Sequence, residues 1–316
     1  MMNNSRFLSN GNNNVKSRLL KAVKQGLDNL ESYEIKPQGV FGSEAKVICG
    51  AVTVNSNDLD LEFTVKFDDD MQPNDAEIII YNLSKNTRNQ LRKGEKISII
   101  AGYKGDTGLI FSGYISKPKT KKENADVVTT IKCIDDIADH NTTEITYAAG
   151  TKASTILKDL LKKTGTPIAV FNMRRDWTYT DEEKVDGDLM ENIKKYSDVC
   201  GVSTYIKNGQ IYSRYITEGD NTYFELSVDT GLIGSPEEFE EEKSLVMQEA
   251  DEEKGKSKVD YSETIKGYEC EMTLQHRMSA GAIVSLKSLE ANGTYRVCGG
   301  EHRFNLSESI TKIKMY

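Results

Sequence analysis

The most regular hydrophobic pattern in the chain is Leu59-Asp60-Leu61-Glu62-Phe63-Thr64-Val65-Lys66-Phe67, where every odd position is apolar and every even one polar. Period two puts the apolar side chains on one face of a strand. A one-residue slip in register would expose that whole face, so the pairing is tightly specified. Glu77-Ile78-Ile79-Ile80-Tyr81 predicts a strand buried on both faces. Asn82-Leu83-Ser84 leads into a short helix over 85–92, with Ser84 as its cap. Residues 96–103 and 109–115 predict a hairpin around Lys104-Gly105-Asp106-Thr107-Gly108. Residues 127–134 add a further strand. Short strands at this spacing over 39–141 predict an antiparallel barrel or sandwich.

The period changes after Gly150. Thr151 is the expected cap of a helix whose apolar face is Ala153, Ile156, Leu157, Leu160 and Leu161, stopped by Gly165 and Pro167. A second helix is predicted over 189–199, with capping-box spacing at Asp188 and Glu191 and a stop at Gly201. Residues 202–206 and 210–216 then form a hairpin around Lys207-Asn208-Gly209. Strands resume at 223–228, 269–276, 282–288, 294–297 and 310–315. The acidic, low-complexity stretch 236–258 predicts a mobile surface loop. At the other end, the first 14 residues are Asn-rich. Asn14 then caps an amphipathic helix over 15–31, with Val15, Leu19, Val23, Leu27 and Leu30 on one stripe.

The expected fold is therefore mainly β with an α+β insert. Residues 1–38 form a flexible N-terminus and helix, 39–150 a first β-barrel domain, 151–221 an inserted helix–hairpin domain, and 222–316 a second β-barrel domain carrying the acidic loop. A chain of 316 residues is long enough for about two domains without disulfides. Cys49, Cys133, Cys200, Cys270 and Cys298 are odd in number and widely spread, which predicts reduced thiols. A net charge of -8 argues against tight nucleic-acid binding. The basic stretch from Lys117 to Lys122 reads as a solvated hairpin tip. No apolar run approaches the length of a membrane span, and no apolar leader is expected.

Few candidate chemistries survive inspection. Gly102, Gly105 and Gly108 follow a strand, but a strand and not a helix comes next, so they serve a turn and not a dinucleotide. Asp68, Asp69 and Asp70 lack the EF-hand order because the sixth loop position is Pro73, and a solvated turn is expected there. There is no Walker sequence, no G-x-S-x-G elbow and no H-E-x-x-H pair. The histidines are His140, His276 and His302. Cys270 shares strand parity with His276, and Cys298 with His302, so four soft ligands could meet as a tetrahedral zinc site. Their spacings match no compact zinc knuckle, and buried thiols with ordinary polar histidines are expected instead. Carboxylate pairs for glycoside hydrolysis stay open, because their separation is not visible in sequence. No catalytic, cofactor-binding or metal residue is assigned.

The run Ala76-Glu77-Ile78-Ile79-Ile80-Tyr81-Asn82-Leu83-Ser84, then Lys93-Gly94-Glu95, Ala101-Gly102-Tyr103 and Ile110-Phe111-Ser112-Gly113-Tyr114-Ile115, resembles the first domain of baseplate hub proteins of contractile phage tails and R-type bacteriocins. Thr230-Gly231-Leu232-Ile233-Gly234-Ser235-Pro236-Glu237 resembles the segment that opens the last β domain of such hubs. The helix–hairpin stretch 151–216 looks like their middle domain. The acidic stretch and the long N-terminal helix depart from the pattern. The resemblance implies two tail-tube-like barrels in a homotrimer. That trimer would join a six-fold tail tube to a three-fold central spike, beside other baseplate proteins. It further implies a structural role without enzyme activity or cofactor, in a particle assembled in the bacterial cytoplasm. The alternatives are a tail-associated peptidoglycan-degrading enzyme and a host-surface carbohydrate binder, the latter suggested by 15 tyrosines.

The face assignment of the alternating strand is testable. Phe63→Ala is expected to cost about 3–5 kcal/mol and Glu62→Ala no more than about 0.5 kcal/mol in chemical denaturation. Equal costs would show that the assignment is wrong.

Overall fold

The computed structural model describes residues 42–135, 142–173, 176–207, 209–215, 218–220, 222–251 and 255–316. The predicted N-terminal helix and His140 lie outside them. The chain opens with strands β1 (Ser43–Cys49), β2 (Val52–Asn55), β3 (Leu61–Asp68) and β4 (Asp75–Tyr81). Helix α1 (Lys85–Arg88) follows, then β5 (Lys96–Tyr103), β6 (Asp106–Glu123) and β7 (Asp126–Ile134). The predicted period-two strand is β3, and Leu61, Phe63 and Val65 are buried as expected. In β4 only Ala76, Ile78 and Ile80 are fully buried, so the expectation of two buried faces is corrected: Ile79 lies on a half-buried face beside Glu77. Helix α1 stops at Arg88, short of the predicted 92, although Ser84 caps it through Thr87 N–H (3.1 Å).

The middle of the chain builds two small sheets and two longer helices. β8 (Thr142–Tyr147) pairs antiparallel with β10 (Glu183–Asp188), so 142–147, expected with the first unit, pairs forward into the insert. Helices α2 (Ala153–Lys163) and α3 (Leu189–Cys200) bury their apolar faces against each other. The N-cap of α2 is Lys152, and the Thr151 hydroxyl donates to Ala148 O (2.7 Å) instead of capping. Asp188 caps α3 by accepting from Met190 and Glu191 N–H. Gly201 ends α3 at φ 64°, a conformation that glycine adopts without a Cβ clash. β11 (Val202–Lys207), β12 (Gln210–Tyr215) and β9 (Ile168–Phe171) form the third sheet, β9 running parallel to β12.

The last part comprises β13 (Tyr223–Leu226), β14 (Leu232–Asp251), β15 (Gly255–Thr273), β16 (Ile283–Lys287), β17 (Asn292–Phe304) and β18 (Ser309–Met315). The acidic stretch expected as a mobile loop is instead a long antiparallel hairpin, registered from Glu237↔Glu269 to Asp251↔Gly255. Composition misled the expectation. Opposite charges stand across the ladder at Glu240↔Lys266 and Lys243↔Glu263, which favours pairing, although Glu237↔Glu269 opposes it.

Strand order reveals an internal repeat. The run β3-β4-β7-β6 with β5 on β6 recurs as β14-β15-β18-β17 with β16 on β17. The registers match as well as the order. β6 carries a bulge between Ile115 and Lys117 against β7, and β17 carries one between Val297 and Gly299 against β18. Counting from these bulges, Ile115 corresponds to Val297, Ile131 to Ile313, Ile78 to Cys270, Ile80 to Met272 and Leu61 to Leu232. Every one of these residues is buried. The two repeats have separate hydrophobic cores, and the helical insert has a third.

Candidate functional site: the seam between the repeats

The two repeats join where β17 meets β3. The first half of β17 pairs with β16, up to Arg296, and after the bulge its second half pairs with β3, from Gly299↔Asp68 to Phe304↔Phe63. One long strand therefore serves both repeats and fuses them into a continuous sheet. On the buried face of the seam, the Phe63 and Phe304 rings stack at 5.4 Å and Phe67 lies 5.0 Å from His302. His302 is buried, with Nε2 3.1 Å from Met278 O and Nδ1 2.9 Å from the Thr311 hydroxyl. The carbonyl can only accept, so Nε2 carries the proton and Nδ1 accepts from Thr311. Burial pushes the His302 pKa down from 6.5 to about 4, keeping the ring neutral.

A second contact between the repeats lies at the β5–β6 turn. Arg277 donates twice to Asp106, at 2.8 and 2.6 Å, and once to Gln275 Oε1 at 3.0 Å. The Arg277 hydrogen bonds hold the Asp106 carboxyl below its usual pKa. Gly108 lies against the His276 ring, and any Cβ there would overlap it. Gly102, Gly105 and Gly108 thus shape and pack a clamped hairpin, as the turn reading predicts.

A third contact also reaches the helical insert. Arg296, 3% exposed, donates to Asp69 Oδ2 at 2.6 Å and to Tyr316 Oη at 3.1 Å, while its Nε donates to Glu218 O at 3.0 Å. Tyr316 Oη donates to the same Asp69 oxygen at 3.0 Å. The Ser203 hydroxyl donates to Asp69 O at 2.7 Å. Asp69, expected in a solvated turn, is instead the acceptor that ties all three parts of the chain to one buried guanidinium. Nothing local in the sequence marks this, because Asp69 and Arg296 are 227 residues apart.

The remaining candidate residues are dispersed. Cys270 packs in the core of the second repeat, and burial pushes its thiol up to about 12. Cys298 donates to Lys314 O at 3.2 Å. With His276 over Gly108 and His302 in the seam, the four residues weighed as a zinc site serve separate packing roles. Among the described residues, no group of three or more His, Cys, Asp or Glu is placed to hold a metal. Asp68 and Asp70 form turns of their own, Asp70 N–H donating to Asp68 Oδ1 and Gln72 N–H to Asp70 Oδ1. With Lys194, Asp198 and Lys314 they line a cleft of about 580 Å³. No helix among the described residues is long and apolar enough to cross a membrane.

The fold resembles that of a tail protein from Neisseria meningitidis MC58, with TM-score 0.60 and 10% identity over 87% of this chain and 96% of that one. It also resembles the 43 kDa tail protein of prophage MuSo2 from Shewanella oneidensis, with TM-score 0.59 and 8% identity over 87% and 98%. A third likeness is the Escherichia coli c3393 protein, with TM-score 0.55 and 9% identity over 85% and 76%. That protein is described as a type VI secretion component structurally similar to T4 tail proteins gp27 and gp5. No curated protein matches the sequence. The profile of the baseplate hub gp41 family matches residues 46–247, more than half of the chain, and the chain belongs to that family.

Two predictions follow from the seam. Asp69→Ala strands a buried guanidinium and is expected to cost about 3–5 kcal/mol, whereas adding Arg296→Met recovers part of the loss; a double-mutant cycle by urea denaturation checks this. The second concerns His302, whose folded pKa near 4 lies below the unfolded 6.5. Between those values the unfolded chain binds the extra proton, so stability falls on acidification. This one residue removes roughly 3 kcal/mol between pH 7 and 4. Stability curves of wild type and His302→Gln should therefore converge as pH falls, and parallel curves would refute the assignment.

Proposed function

We propose that this chain is the structural hub of a contractile tail, from a phage or a phage-tail-like bacteriocin, and acts as a homotrimer between a six-fold tail tube and a three-fold central spike. The observation that carries the reading is the repeated strand order within one chain. Three copies supply six similar units, enough to match a six-fold ring above while presenting three-fold symmetry below. In this reading, residues 39–150 and 222–316 provide the two tube-like units, with β8 given over to the module inserted at 151–221. The role is mechanical and needs no catalytic group. The three contacts that lock the repeats together suit a part that must transmit movement without deforming. The protein is incorporated into the baseplate during particle assembly in the bacterial cytoplasm, where its partners are the tube protein, the spike and neighbouring baseplate proteins. The acidic balance of the chain disfavours adhesion to passing DNA.

Native mass spectrometry of the purified chain, alone and with its tube and spike partners, is expected to show trimers. A strictly monomeric species even beside those partners would sink the proposal. Incubation with peptidoglycan is expected to give no hydrolysis, and clear hydrolysis by this chain alone would favour the enzyme reading.

A further inference from the structure

The internal repeat has an unused half. Within the chain, the second half of β17 pairs with β3. The strand matching β17 in the first repeat is β6, and the strand matching β3 in the second is β14. The β5 ladder ends at Tyr114 of β6, as the β16 ladder ends at Arg296 of β17, so among the described residues no strand pairs with the edge of β6 from Lys117 onward. Among the described residues β14 is the terminal strand of the sheet. We infer that the open edge of β6 in one copy pairs antiparallel with β14 of a second copy, repeating the intrachain seam between molecules. The inference rests on the trimeric reading above and specifies its contact.

The register carries over residue by residue. Gly299↔Asp68 becomes Lys117↔Glu241, and Arg303↔Thr64 becomes Lys121↔Glu237. Lys119 then lies opposite Phe239, diagonal to both glutamates, within reach of a long side chain. On the other face, Thr120 meets Glu238 and Pro118 meets Glu240. The β6 edge thus offers Lys117, Lys119, Lys121 and Lys122, all exposed. The β14 edge offers the exposed Glu237, Glu238 and Glu240, and the half-exposed Glu241. Some of these carboxylates have exposed partners within the chain, such as Lys314 with Glu241 at 3.2 Å and Tyr268 with Glu238 at 3.3 Å. Each keeps a second oxygen able to accept.

The charge complement decides the occupant. Two β6 edges repel each other, as do two β14 edges, so each edge accepts only its opposite. That makes a head-to-tail contact, the kind that closes rings. Pro118 supplies a carbonyl but no N–H, so the ladder is short of one donor and the charges carry more of the selectivity. Unlike the aromatic intrachain seam, this one is ionic and therefore salt-sensitive.

The test is native mass spectrometry and light scattering of the full chain. Wild type should associate at low salt and dissociate near 1 M NaCl, where the screening length is about 3 Å. Lys119→Glu with Lys121→Glu, and separately Glu237→Lys with Glu241→Lys, should each raise the dissociation constant by about tenfold or more. Combining all four changes in one chain should restore association, because every seam then pairs opposite charges again, whereas a mixture of the two variants satisfies only two of the three seams of a trimer and should rescue less. Circular dichroism of each variant confirms that it is folded. Wild-type association left unchanged by both reversals would overturn this seam and leave the trimeric reading standing. A wild type that never associates, at any salt and with its partners present, would overturn both.

Discussion

The structure depends on one strand belonging to two sheets. β17 is 13 residues long, and its bulge between Val297 and Gly299 changes its neighbour from β16 to β3. A bulge bends and twists a strand locally. Here it turns the second half of β17 out of its own repeat and into the first. Without that change the chain would hold two independent units on a linker, and interdomain motion would be the default. With it, the backbone ladder continues across the join, and a shift between repeats must break strand hydrogen bonds.

Side chains reinforce the backbone at three points of differing chemistry. The Phe63–Phe304 stack and the Phe67–His302 contact exclude water from the seam. The two-pronged Arg277–Asp106 bond clamps the β5–β6 turn. The Arg296–Asp69–Tyr316 network draws in the insert through Glu218 and Ser203. A buried ion pair adds less net stability than its Coulomb energy suggests, because both charges lose their hydration. Its stronger effect is on specificity. A misdocked insert leaves the buried Arg296 Nε without the Glu218 carbonyl, so alternative packings are penalised more than the native one is favoured.

The legible parts of the fold were those governed by local periodicity. The alternation of β3 marked its buried face, and the Asp188 and Gly201 signals bounded α3. Two expectations failed. Thr151 looked like a cap, but the helix begins at Ala153 and its first N–H groups donate to Trp177 O and Asp176 Oδ1, so cap identity depended on acceptors more than 20 residues away. The stretch from Glu237 to Asp251 looked like a loop because charge obscured its strand character. Its pairing is with β15, where Glu240 meets Lys266 and Lys243 meets Glu263, a relation that a composition scan along one segment does not detect. The seam was invisible because Asp69 with Arg296, and Phe63 with Phe304, join positions more than 200 residues apart. Even so, the resemblance of residues 76–115 to baseplate hubs identified the family that the profile match establishes.

The divergence of the repeats explains why one chain can carry both a permanent seam and an open one. Positions that fill the cores stayed apolar: Ile78 and Cys270, Ile80 and Met272, Ile131 and Ile313. Positions at the edges did not. Phe67 in the first repeat corresponds to Glu240 in the second, and Phe304 in the second corresponds to Lys122 in the first. Had both edges kept aromatic residues, each copy would expose an unpaired apolar strand before assembly, a template for uncontrolled pairing. The intrachain seam can be apolar because tethering gives it a high effective concentration, so it closes without meeting other molecules. An intermolecular edge has no such protection. Charging it keeps the free copy soluble, and opposite signs on the two edges still leave each able to accept one partner.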